Sequence, residues 1–109
     1  MSFIPFLPRF HDVIKLGVKT MTCRTRKYGE PGDMLDTNLG VRIQILEVRR
    51  MRLGDVAKRH WREEGCESPE EFVAVWEGIH PRRDFDPDQL VWLHVFRYVG
   101  AKPSYIVGA

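Results

Sequence analysis

From Val41 the chain reads Val41-Arg42-Ile43-Gln44-Ile45, a strict alternation of apolar and polar residues, and then breaks phase at Leu46-Glu47-Val48. A period of two marks a strand with one buried face. One extra residue in such a run produces the phase break, so the segment predicts a strand with a bulge. A one-faced strand needs strand partners and a cover. Lys19-Thr20-Met21-Thr22-Cys23-Arg24 is β-branched and alternating and reads as a second strand. The turn cluster Tyr28-Gly29-Glu30-Pro31-Gly32-Asp33 leads into a short strand, Met34–Thr37, and Asn38-Leu39-Gly40 forms a tight turn. Leu90–Val99 is a long apolar strand carrying Trp92, Phe96 and Tyr98.

Helical patterns supply the cover. Phe10–Leu16 reads as a short amphipathic helix, with Pro8 before it and Gly17 after it. Gly54–Glu64 puts Val56, Ala57, His60 and Trp61 on one face and ends at Gly65 as C-cap. Ser68-Pro69-Glu70-Glu71 is a capping-box start for a helix that runs to about Gly78 and buries Phe72, Val75 and Trp76. His80–Pro87 is a loop. The order is helix, three strands, two helices, strand, which excludes a regular doubly wound sheet. The expected fold is α+β: a small mixed or antiparallel β-barrel with flanking helices.

The sequence has 109 residues, the length of one domain, since domains typically hold about 100–150. Residues 1–109 are therefore expected to form one unit, with a core over about 6–99 and a loosely held tail over 100–109. Any site must be built on that one core. Charge is uneven: residues 1–52 carry ten Lys/Arg against five Asp/Glu, and residues 53–109 carry seven against ten. A basic half suggests an anionic ligand near it, unless folding mixes the two halves on one surface.

No stretch approaches the roughly 20 apolar residues of a membrane span. The prolines that interrupt Phe3–Pro8 do not suit a signal peptide. Cys23 and Cys66 lie far apart with no C-x-x-C, which argues against a disulfide framework or a zinc site and suits the reducing cytoplasm. His11, His60, His80 and His94 show no ligand spacing, so no metal or other cofactor is expected. Gly17-Val18-Lys19-Thr20 lacks the glycines of a phosphate-binding loop.

Three segments in order carry a resemblance. Gly17-Val18-Lys19 with Arg24 fits G-x-K-x-x-x-x-R, Pro31-Gly32-Asp33 fits a P-G-D turn, and His60-Trp61-Arg62-Glu63-Glu64-Gly65 with Ser68–Phe72 and Trp76 fits an acidic helical insert. The set resembles the ASCH domain family, of the PUA-like superfamily, and is most similar to its small bacterial 4-acetylcytidine amidohydrolases. The resemblance spans residues 6–99. It implies a PUA-like barrel and a cleft for RNA or a modified nucleoside. Those hydrolases use a Lys, a Thr three residues on and a Glu of the insert, which fall here on Lys19, Thr22 and Glu64, with Arg24 as the neighbouring arginine.

The residues can be weighed on their own chemistry. As a base near neutral pH, Lys19 needs a pKa lowered by burial and by neighbours such as Arg24 and Arg26; otherwise it is a solvated lysine after a turn. On a regular strand Lys19 and Thr22 point to opposite faces, while Thr20, Thr22 and Arg24 share one. Lys19 reaches Thr22 only if it lies in the turn before the strand, which Gly17 permits. Glu64 lies on the apolar face of its predicted helix, at the C-terminus where the macrodipole disfavours a carboxylate. Both effects suit a proton-shuttling acid, the alternative being a Glu bonded to an arginine at the edge of that face. Arg24, Thr20, Arg26 and Tyr28 are expected as substrate contacts, with Tyr28 or a partly exposed Trp stacking a base. A binding module without catalysis would use Arg24, Arg26, Lys27, Arg49 and Arg50 on phosphates. An RNA-cleaving ASCH nuclease shares the lysine.

Overall fold

A computed structural model describes residues 2–101. Its elements are β1 (Phe3–Ile4), a 3-10 turn (Pro8–Phe10), α1 (His11–Lys15), β2 (Met21–Arg24), β3 (Met34–Thr37), β4 (Val41–Arg52), α2 (Leu53–Arg59), α3 (Pro69–Ile79) and β5 (Leu90–Ala101). The five strands form one sheet in the order β1-β3-β4-β5-β2. β1 runs parallel to β3, and the other pairs are antiparallel. The fold is α+β with a mixed sheet, as the pattern predicts. The sheet is open: its order ends at β1 and β2 without closing into a barrel.

The phase break in β4 is a bulge. Ile45 pairs with Phe96 and Glu47 with Val95, so the register slips by one residue there. Before the bulge Val41, Ile43 and Ile45 enter a core with Ile4, Phe6, Phe10, Ile14, Leu35 and Phe96. After it Met51 packs against a second core of Leu53, Val56, Ala57, Phe72, Trp76, Val91 and Leu93 with both cysteines. One inserted residue thus lets a single 12-residue strand serve both cores.

The segment expected as a loose tail from Gly100 begins as strand: β5 continues through Ala101, which pairs with Val41. The rest of that expectation, 102–109, lies outside the described residues. β1 is too short for periodicity to reveal. α2 ends at Arg59 rather than Glu64, where His60 leaves helical geometry at φ −126°. A tertiary contact competes there: the Glu63 carbonyl accepts the Thr20 and Met21 amides at 2.8 and 2.9 Å, tying the 60–66 turn to the start of β2. α3 starts as its capping residues dictate, with Ser68 Oγ accepting the Glu71 amide at 3.0 Å. Among the described residues no helix is long and apolar enough to cross a membrane.

Candidate functional site

β2 begins at Met21, so Lys19 lies before the strand and escapes its alternation. Gly17, at φ 75°, makes the turn that delivers it. Lys19 then runs inward between the two cores and is 3% exposed. Its Nζ donates to the carbonyls of Met21 (2.8 Å) and Glu64 (2.5 Å) and lies 3.4 Å from Glu64 Oε1. The rings of Phe10 and Phe6 lie 4.5 and 5.8 Å from it, so a charge here gains cation–π attraction.

Glu64 comes from the turn after α2, and its amide still bonds the His60 carbonyl at 2.9 Å. That bond keeps it on the face its helical spacing predicts. Gly65 completes the turn at φ 90°, and a Cβ there would sit 3.1–3.3 Å from the Lys19 side-chain stem. Only glycine suits both the backbone angle and that close approach. Glu64 is 5% exposed, and its Oε2 has no hydrogen-bond partner among the described residues.

Burial lowers the Lys19 pKa, Arg24 adds to the effect, and Glu64 opposes it. Burial raises the Glu64 pKa against the pull of Lys19 and Arg24. Burial, not a helix terminus, is therefore the cause at Glu64, because α2 has already ended. Two carbonyls hold two N–H groups of Lys19 and leave its third position to the Glu64 carboxyl. One proton can pass between the amine and the carboxyl, because both shifts favour the neutral partners.

These two residues line a cavity of about 350 Å³ together with Thr22, Cys23, Arg24, Tyr28 and Cys66. Phe6, Phe10, Phe72, Val75 and Trp76 supply its apolar wall, and His80 lies at its edge, 4.1 Å from the Trp76 ring centre. Thr22 Oγ1 accepts from Arg24 Nε at 3.0 Å, which stabilises negative charge developing on that oxygen. A second Arg24 nitrogen donates to the Pro5 carbonyl at 2.6 Å, and the guanidinium also interacts with the Tyr28 side chain. A cavity of this size with an aromatic wall and a few convergent polar groups is an ordinary small-molecule site.

The structure thus brings together Lys19, Thr22, Arg24, Glu64 and Tyr28. It leaves two expected contacts outside. Thr20 is spent on backbone bonds to Glu63 and Phe96 and does not line the cavity. Arg26 is exposed and lies 4.2 Å over the outer part of the wall, the Tyr28 ring. Beyond Tyr28, Trp92 is half-buried, with Arg50 at 4.4 Å and Lys27 at 5.2 Å over its ring. Lys27 also pairs with Glu30. Arg49 is opposite Leu93 and so points to the other face of the strand, away from Arg50. Sequence reasoning missed the cysteines as cavity residues and weighed His94 only as a metal ligand, not as a residue bonded behind the cavity wall. The signal for His94 was a lone imidazole inside the apolar run Trp92–Phe96.

No protein-family model matches the chain, and no curated protein matches it. Solved structures match its fold. A protein of Enterococcus faecalis described by the family model DUF984 superposes with a TM-score of 0.71 at 18% identity, over 97% of this chain and 85% of that one. An ASCH domain from Lactobacillus crispatus gives 0.59 at 19% identity, over 89% and 79%. A mutant form of an ASCH protein from Zymomonas mobilis gives 0.63 at 15% identity, over 88% and 68%. The chain shares the fold of these ASCH-domain structures.

Proposed function

We propose that the chain is a single ASCH-family domain whose cavity takes a nucleoside or an RNA base and hydrolyses the amide of an acylated cytidine. One observation carries the reading: Lys19, Thr22, Arg24 and Glu64 converge on one cavity that is otherwise aromatic and apolar, with Glu64 Oε2 unpartnered among the described residues. An aromatic wall suits a planar base, and the polar cluster suits an amide at its edge. In the proposed reaction Thr22 Oγ1 attacks the acyl carbon, or holds the water that does. Lys19 accepts the proton released, and Arg24 stabilises the oxyanion. Glu64 passes a proton to the departing amino nitrogen as the C–N bond breaks. Where Thr22 itself attacks, a water then cleaves the acyl-threonine ester, giving its proton to Lys19 and restoring the hydroxyl. On either route one water is consumed, and the products are cytidine and the free carboxylate. Two buried free thiols fit a cytoplasmic location.

The test is incubation with 4-acetylcytidine and chromatographic detection of cytidine. Lys19→Ala and Glu64→Gln should each lower turnover by at least about 100-fold. Full activity in Lys19→Ala would remove this mechanism.

A second reading, an RNA-binding module, draws on the cations over Tyr28 and Trp92. Aromatic rings with adjacent cations favour single-stranded nucleic acid. RNA retention at low salt without any hydrolysis would favour it. Cleavage of the RNA itself would identify the nuclease variant of the same site.

A further inference from the structure

His94 stands on β5 between Thr22 of β2 and Val48 of β4 and is 1% exposed. Its ring nitrogens meet unlike partners: Nε2 lies 3.1 Å from the Tyr28 amide nitrogen, and Nδ1 lies 3.2 Å from the Thr22 carbonyl. An amide N–H only donates and a carbonyl only accepts. The ring is therefore neutral, with its hydrogen on Nδ1 and its lone pair on Nε2. An imidazolium would turn a second N–H toward the Tyr28 N–H, and that bond would be lost. The two rings also meet edge to face, with centres 6.1 Å apart at 71°.

One neutral imidazole thus joins the backbone of Thr22 to the backbone of Tyr28, two residues of the same cavity wall. The charged groups facing it are cations. Arg24 comes from β2 and Lys27 from the segment after it, while β4 offers the uncharged Val48. Burial holds the pKa below the ordinary 6.5, Arg24 and Lys27 add to this, and the Thr22 and Trp92 carbonyls oppose it.

We propose that His94 is a positioning residue: neutral, it clamps the Thr22 strand to the Tyr28 wall, and on taking up a proton it releases that wall and weakens the site. The proposal rests on the cavity being the ligand site, so its test includes a readout that needs no ligand. Amide spectra of the full chain are recorded between about pH 7.5 and pH 5, following the Tyr28 N–H and the His94 ring together. Turnover of 4-acetylcytidine is measured over the same range.

The Tyr28 amide is expected to lose its bonded shift, and its protection against exchange relative to the intrinsic rate at each pH should fall about tenfold, in the same step as the His94 ring protonates, below pH 6.5. Turnover should fall with that midpoint. His94→Gln, which offers an acceptor but cannot ionise, should lose the turnover step that coincides with protonation of the His94 ring, whatever its absolute level, and keep only the pH dependence of Lys19 and Glu64. A Tyr28 amide indifferent to His94 protonation would overturn the proposal, as would an unchanged acid loss in His94→Gln. If that variant does not fold, the wild-type spectra decide. Absence of turnover at every pH would sink the hydrolase reading alone, because the Tyr28 titration tests the clamp without substrate.

Discussion

Lys19 Nζ and Glu64 Oε1 face each other at 3.4 Å in the seam between the two cores, 3% and 5% exposed. Desolvating two charges is unfavourable, and their attraction only partly offsets it. The pair is therefore better explained by chemistry at the cavity than by stability. Removing one partner should be worse for the fold than removing both charges.

Lys19→Met leaves the buried Glu64 carboxyl without the amine that shares its proton, and should destabilise the chain by about 3 kcal/mol. Adding Glu64→Gln in the same chain should recover most of that loss, while activity stays absent. Urea unfolding of the two single variants and the double variant measures the coupling. Additive losses would mean that the two residues do not share a proton or a charge.

Gly65→Ala tests the turn that presents Glu64. The φ of 90° disfavours any Cβ, and this one would press on the Lys19 stem at 3.1 Å. A loss of about 2 kcal/mol is expected. Activity should fall further than the unfolded fraction explains, because the pressed group is the candidate base itself. Thermal unfolding and turnover on the same sample separate the two effects.

Local chemistry was legible where one residue decides one geometry. The β4 bulge and the Ser68 cap could be read from alternation and turn residues, whereas the strand read from Lys19 begins only at Met21, because the Thr20 and Met21 amides go to the Glu63 carbonyl. Glu64 was on the predicted face for a partly different reason, since the helix stops at Arg59 and one further turn continues its direction. The open sheet was not legible, because closure depends on which strands become edges. Nor was His94, whose two partners lie 66 and 72 residues away in the chain. Such contacts leave no periodic trace.

Burial raises the Cys66 thiol to about 11 from 9.0. Stability from its protonated form is present below pH 9 and is lost as pH climbs toward 11. At about pH 8 its thiolate fraction is roughly 100-fold below that of an unperturbed thiol. Iodoacetamide should therefore label Cys66 at least about 100-fold more slowly in the folded chain than in urea. Because Cys66 lines the cavity, saturating cytidine should slow the reaction further. Labelling that cytidine does not alter would argue that the base binds elsewhere.

The stripe beside the cavity separates the two functional readings. Arg50 and Lys27 lie over Trp92, and neither Arg50 nor Trp92 lines the cavity. If the natural ligand is a polymer, Trp92→Ala should weaken single-stranded RNA binding by about 1–3 kcal/mol through lost stacking. Arg50→Ala should weaken it and lower the salt slope by roughly one released counterion. Hydrolysis of the free nucleoside should change less than about twofold in Arg50→Ala, because one small uncharged ligand releases no counterions. Filter binding across a salt series and nucleoside turnover, run on the same two variants, distinguish the cases. Equal loss of both activities would mean that Trp92 and Arg50 hold the cavity in shape. Loss of RNA binding alone would mean that they extend it along a strand.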